Sequence, residues 1–467
     1  MGVVTSSPRT AIAPARRCAF AVVRRVFERG AYADLALHAE AATLDRRDRA
    51  LATRLAYGTV QRKGTLDHLI EQLAGRPVGR LDPAVLAALR LGSYELLYLS
   101  GAPDRAVVGD AVELAKDGGG RGHGLVNAVL RRAAREGRDA LLGALDDATP
   151  ERAAVMHSHP LWVARLWWER LGAEDARALM AYDNEPGEVA LRANTLVTDA
   201  PALAEELWWA AVSFHVDPSL AEALVLDGPF DAHASPPWRA GAFVAQSRAA
   251  MLVSRALAPC PGERVLDLCA APGGKTTHLA ALMGGEGEVI AVERNERRAA
   301  ELRETARRLR AQNVHVELAD AARPRPERAS FDRVLVDPPC SGLGTLQARA
   351  DLRWRMTPAA VGQMALAQQA ILEAGAEALR PGGVLVYSTC TISATESEHV
   401  IDTFLNSHAD FTLDDLAADR SEIGRPLSAS ASATAASSHR GSIDGTVLTL
   451  PHRDRTAGFF IARLRRS

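Results

Sequence analysis

At 467 residues the chain is long enough for two or three separate cores. With 24% charged and 47% hydrophobic residues it has the make-up of an ordinary globular protein. A net charge of −2 does not mark a nucleic-acid binder, and no run approaches the ~20 apolar residues of a membrane span.

The first residues, MGVVTSSPRTAIAPARRC, carry basic groups but no apolar core behind them, so no secretory signal is expected. Cysteines stand at 18, 260, 269, 340 and 390 with no CxxC pair. Neither a disulfide framework nor a zinc site is expected, and a reducing cytoplasm is the expected location. Lysine occurs only at 63, 116 and 275 against a large arginine majority, which draws attention to Lys275.

Residues 8–140 predict a helical bundle. Cys18, Val22 and Val26 fall at helical spacing within Ala15–Arg29, and similar patterns recur in 49–60, 65–73, 83–99, 107–116 and 125–135. Glycines and prolines punctuate them. About 22 basic against about 15 acidic side chains lie in residues 1–140, a local excess able to steer a polyanion.

Residues 141–160 read as a connector ending in His157-Ser158-His159-Pro160, with the histidines expected at the surface and not on a metal. A small α/β connector domain is expected over 150–240, with VALRANTL at 189–196 as a strand. Its tryptophans (162, 167, 168, 208, 209) are expected in the core rather than as base-stacking platforms.

From 241 to 467 strands alternate with helices. Strands are expected at 264–268, 288–292, 314–318, 331–336 and 383–388, and helices at 274–283, 295–310, 359–378 and 394–406. This predicts a doubly wound, Rossmann-like, mainly parallel sheet. The Ser/Ala-rich stretch 428–441 is expected to be a disordered loop, and TAGFFIARL a closing antiparallel strand.

The turn Cys269-Ala270-Ala271-Pro272-Gly273-Gly274-Lys275 follows the first of these strands. It lacks the first glycine of a P-loop and does not supply GxGxxG, but its small residues let backbone approach a ligand at a helix start. Glu293 lies 19 positions beyond Gly274, where an acid commonly accepts hydrogen bonds from ribose hydroxyls. An adenosine-containing ligand fits better than a triphosphate. Asp320 follows the third strand, and Asp337-Pro338-Pro339-Cys340 the fourth. Cys390 follows the fifth, so both thiols should reach one rim of the sheet.

Carbon 5 of cytosine is too weak a nucleophile to take a methyl group directly. A thiolate adding at carbon 6 makes it enamine-like, an acid near nitrogen 3 neutralises the developing charge, and a further group serves release. Cys390, Asp337 and Cys340 are the residue types for those roles. Ordinary packed cysteines and strand-end acids are the competing explanation.

VLDLCAAPGGKT, Glu293, Asp320, DPPCSGLGT and the TC at 389–390 resemble the RsmB (Sun) group of ribosomal RNA cytosine-5 methyltransferases. ARRCAFAVVRRVFERGAYADLAL, DRALATRLAYGTVQRKGTLD and GLVNAVLRR are similar to the NusB-like helical domain that this group carries. The resemblance implies that Cys269–Lys275, Glu293, Asp320 and Asp337 contact S-adenosylmethionine, that Cys390 is the nucleophile, and that Cys340 assists release. It implies a cytosine in small-subunit (16S) ribosomal RNA as target, in a loop or flipped from the stack. A monomer is expected, with no metal and no membrane partner. Two departures stand out: Ala394-Thr395-Glu396-Ser397 replaces PEEN, and Gln246-Ser247 replaces QD. Alternatives are the same chemistry on transfer RNA or DNA, or a non-catalytic RNA-binding assembly factor of antitermination type.

Overall fold

Pro14 opens the first helix, Pro14–Arg29, and Gly30 ends it in the left-handed region, its N–H bonding the Arg25 carbonyl. Ala15, Cys18, Ala19, Val22, Val23 and Val26 are buried along one stripe. That stripe packs into a core shared with helices Arg46–Gln61, Lys63–Ala74, Pro83–Tyr98, Asp104–Asp117 and His123–Glu136. These are the helices the spacing predicts. Ala33–Glu40 and Arg138–Gly143 are additional ones.

The structure is a computed structural model and describes residues 12–228, 230–416 and 445–467. It divides into two units. The first runs through Asn184 and takes in Arg349–Arg355; the second comprises Glu185–Ala348 and Met356–Ser467. The stretch 150–240 is therefore shared, with helices Pro150–Met156, Leu161–Leu171 and Ala173–Tyr182 in the first unit.

One expectation for this stretch is corrected. His157 and His159 are buried, not at the surface. They are drawn in by Arg353, whose guanidinium is fully buried and donates to the carbonyls of Ser158 (3.1 Å) and Asp183 (2.6 Å) and to Asn184 Oδ1 (2.8 Å). Trp354 beside it donates to the Val60 carbonyl at 2.8 Å.

The second unit holds two sheets. The smaller is antiparallel, in the order β2-β3-β1-β4, from β1 (Ala190–Ala193), β2 (Phe214–Val216), β3 (Ala223–Leu226) and β4 (Phe243–Ala245). Helix Ala200–Trp209 packs on it through Leu203 and Leu207. The tryptophan expectation holds only in part. Trp167 is fully buried, whereas Trp208 and Trp209 are 71% and 79% exposed because the buried stripe of their helix runs through Ala200, Leu203 and Leu207.

The larger sheet takes β5 (Arg264–Asp267), β6 (Glu288–Glu293), β7 (Val314–Leu318), β8 (Phe331–Val336), β9 (Leu379–Thr389), β10 (Phe411–Asp414), β11 (Val447–Leu448) and β12 (Phe460–Arg466). Its order is β10-β12-β9-β8-β5-β6-β7, with β11 on β12. Strands β7, β6, β5, β8 and β9 are parallel, while β12 is antiparallel to β9. Alternate residues bury on opposite faces: Val265 and Leu335 go with helices Arg248–Leu257 and Gly274–Leu282, Leu266 and Val334 with Pro358–Ala378.

Chain order reverses direction across the sheet between β5 and β8, and the crevice at such a point is where open α/β sheets take ligands. The 428–441 stretch lies outside the described residues. Among the described residues no helix is long and apolar enough to cross a membrane, and no cluster of three or more His, Cys, Asp or Glu side chains could hold a metal ion.

Candidate active site

Three loops meet at the carboxyl rim of the large sheet. The first leaves β5 through Leu268–Pro272 and turns at Gly273 into helix Gly274–Leu282. Gly273 has φ 104°, and a Cβ there would meet Leu302 Cδ1 at 2.6 Å, so only glycine fits this turn. Cys269 sits in it with its thiol pushed up in pKa by burial and then by Asp267, Asp337 and Glu293, which makes it an inert neutral group. Asp267, at the strand end, is pushed up to about 6 by burial while accepting from Thr276 Oγ1 at 2.7 Å. Gln246 lies behind the turn, its Oε1 accepting from the buried Arg192 Nε at 2.7 Å.

Glu293 ends β6. It is nearly buried, accepting from the Asn295 amide at 2.8 Å and pairing with Arg298 at 3.3 Å. Asp320, half exposed, follows β7 on the rim of a cleft of about 420 Å³ lined also by Leu268, Val292 and Ala321. Its lining mixes these apolar side chains with charged ones, among them Glu317, Arg323 and Arg325.

Register brings the other two loops together. Val336 of β8 pairs with Tyr387 of β9, so Asp337 and Ser388 emerge side by side and Ser388 Oγ donates to Asp337 Oδ1 at 2.7 Å. Lys275 reaches across from the glycine turn, and its Nζ donates to Asp337 Oδ2 at 2.7 Å. Burial disfavours the Lys275 ammonium, but Asp337 outweighs it and holds the group protonated above its ordinary range, with Cys390 acting in the same direction. The sequence places Lys275 in the turn; its reach to Asp337 and the field of Cys390 is a finding of the structure.

Cys340 Sγ and Cys390 Sγ lie 3.2 Å apart, and neither is in a disulfide. Their hydrogen bond, then burial, then the charges of Cys390, Glu396 and Asp337 push the Cys340 pKa well up. The raised pKa favours the neutral thiol at Cys340.

Supports that the sequence did not disclose fix this geometry. Glu396 is fully buried and accepts from the Ser341 amide at 2.8 Å and from Gln368 Nε2 at 3.0 Å. Gly344 donates to the Cys390 carbonyl at 3.0 Å and accepts from the Gly458 amide at 2.7 Å. A Cβ on Gly344 would strike the Gly458 carbonyl oxygen at 1.9 Å. Glycine pairs so close can be suspected from GLG and AGF in the sequence, but not matched to one another.

Known proteins resemble this chain over nearly its whole length. The profile described as 16S rRNA methyltransferase RsmB/F matches residues 254–465, the NusB family profile 13–135, and an RsmF/B-like ferredoxin-like domain profile 159–233. The probable ribosomal RNA small subunit methyltransferase B of Synechocystis is 36% identical over 97% of this chain and 99% of its own. Its Bacillus subtilis counterpart is 35% identical over 91% of this chain and 92% of its own. The crystal structure of PH0851 superposes with a TM-score of 0.78 at 27% identity, covering 98% of this chain and all (100%) of the other.

Proposed function

The chain belongs to the RsmB/F family of 16S ribosomal RNA methyltransferases, and from that premise we propose that it methylates carbon 5 of a cytosine in that RNA through a covalent Cys390 adduct. The observation that carries this is the sulfur pair, 3.2 Å apart, beside the ion pair of Asp337 and Lys275.

The cradle fits S-adenosylmethionine: the Gly273 turn admits close backbone approach, Glu293 stands at the ribose distance along the chain, and Asp320 edges the cleft. When bound, that cofactor supplies an electrophilic methyl group. Cys269–Lys275, Glu293, Asp320 and Asp337 are the residues that would hold it.

Cys390 forms the bond to carbon 6 of the ring as its thiolate. Hydrogen bonding from the Cys340 thiol and the Lys275 ammonium field both stabilise that thiolate. Asp337, clamped by Lys275 and Ser388, is the carboxyl group placed to pass a proton from the Lys275 ammonium to ring nitrogen 3 as negative charge builds. Carbon 5, now nucleophilic, accepts the methyl. Loss of its proton to a base restores the double bond and expels Cys390, whose returning charge the Cys340 thiol again stabilises.

Bisulfite mapping of 16S ribosomal RNA from cells with and without the protein tests this reading. One cytosine resistant to conversion only when the protein is present is the expected result. Identical maps overturn the carbon-5 assignment.

A further inference from the structure

Cys340 is held in place from both sides by two linked side chains, Glu396 and Gln368. Glu396 Oε1 accepts the amide of Ser341, the next residue, at 2.8 Å, and the Ser341 hydroxyl donates to Glu396 Oε2. On the other side, Gln368 Nε2 donates both to Glu396 Oε1 at 3.0 Å and to the carbonyl of Pro339 at 2.9 Å. Tyr387 fixes the carboxylate's own backbone, donating from its hydroxyl to the Glu396 carbonyl at 2.7 Å. The Ser341 hydroxyl also meets Thr391 Oγ1 at 2.7 Å, one residue past Cys390. Ser341, Gln368, Tyr387, Thr391 and Glu396 are all fully buried.

Burying a carboxylate is costly unless several donors satisfy it. A fully buried acid bonded to one neighbour of a thiol, and to the glutamine that holds the other, calls for a reason beyond filling space. The reason at hand is spacing. The loop carrying Cys340 has no regular secondary structure of its own, while Cys390 sits directly beyond the end of β9. Without the carboxylate, little would hold the Cys340 sulfur to 3.2 Å from its partner. Glu396 also acts through its charge, helping to keep the Cys340 thiol protonated.

We propose that Glu396 is a positioning residue for product release, fixing Cys340 where its thiol stabilises the departing Cys390 thiolate. This rests on the covalent reading above. In that step a base takes the carbon-5 proton, the C–H pair becomes the 5,6 double bond, and the carbon 6–sulfur bond breaks with its pair on Cys390. Nothing else is consumed. A displaced Cys340 leaves the adduct formed but slow to collapse.

The test compares the full-length wild type with Cys340→Ala, Glu396→Ala and Glu396→Gln. Each is incubated with 16S ribosomal RNA and S-adenosylmethionine, run on denaturing gels for RNA–protein adduct, and assayed for single-turnover methylation, multiple turnover and melting temperature. Glu396→Ala should accumulate adduct as Cys340→Ala does. Its multiple turnover should fall by about tenfold or more, a larger loss than in single-turnover methylation. Glu396→Gln, which keeps an acceptor for the Ser341 amide, should recover part of the turnover and lose part of the adduct. Adduct in Cys340→Ala but none in Glu396→Ala overturns the proposal alone. Adduct and turnover falling together, in step with melting, assigns Glu396 to folding only and also overturns it. Absence of adduct from Cys340→Ala removes the release reading itself, and this inference with it.

Discussion

Two fully buried charges organise the two units, and they do so with opposite consequences. Arg353 in the helical unit donates to main-chain carbonyls of Gln61, Ser158 and Asp183, residues 292, 195 and 170 positions away. Glu396 in the catalytic unit accepts from Ser341 and Gln368, 55 and 28 positions away. Both staple remote segments by satisfying backbone groups that water cannot reach. Arg353 ends on carbonyls and an amide and touches no group with chemistry. Glu396 ends one residue from a sulfur. The same device yields stability alone in one place and the spacing of reacting atoms in the other.

That contrast predicts effects that separate activity from folding. The largest is at the other sulfur of the pair. Cys390→Ala should reduce methyl transfer by about 10⁴-fold or more, with melting temperature and cofactor binding by calorimetry unchanged. Retained transfer would end the nucleophile assignment and reduce the Glu396 network to packing. At the other pole, Arg353→Met should cost about 3–5 kcal/mol of stability, since it strips the buried carbonyls of their donor. Denaturant unfolding measures it, and cofactor binding by the remaining folded protein should persist. A loss under about 1 kcal/mol would mean that water satisfies those carbonyls in place of the guanidinium.

Between these lies Gly344→Ala. The added methyl carbon would sit 1.9 Å from the Gly458 carbonyl oxygen, so the loop behind Cys340 must move. Turnover should fall roughly 10–100-fold with about 1–3 kcal/mol of destabilisation. Unchanged kinetics would show that the sulfur spacing tolerates a shifted loop.

The two staples also mark where the sequence stops being legible. The turn at 268–276 reads directly because strand, small residues and helix start are contiguous, and the strands are set by apolar runs of the right length. The DPPC and TC motifs disclose both thiols and, with the sheet order, their common rim. Glu396 is different. Ala394-Thr395-Glu396-Ser397 looks like a weakened PEEN, yet the surviving carboxylate makes long-range bonds that no local spacing reveals. Lys275 is similar, since its partner Asp337 lies 62 residues on. His157 and His159 were misplaced at the surface because the residue that buries them, Arg353, belongs to a distant segment. Trp208 and Trp209 were misplaced in the core because aromatic character says nothing of which helix face meets the sheet.

The smallest predicted effect probes the surroundings of Arg353. His159 Nδ1 lies 2.9 Å from the His157 carbonyl and must carry a proton to donate there, and burial keeps the ring neutral, so its Nε2 is bare. Asp183 Oδ2 lies 3.2 Å from that nitrogen, and burial pushes the Asp183 pKa up to about 7 despite Arg353. The acid is thus the donor of this bond while protonated. Because the unfolded chain releases this proton near its ordinary value of 3.8, the folded state holds it more tightly between there and about 7. Stability from the proton is full below the unfolded value and is lost as pH rises, with nothing further lost above about 7. Asp183→Asn keeps an N–H donor for His159 without the titration. The melting temperature of the variant relative to wild type should therefore climb by a few degrees from pH 5 to pH 7 and then level. A difference that stays flat across that range would show that Arg353 holds Asp183 ionised throughout, making the cationic staple an ion pair.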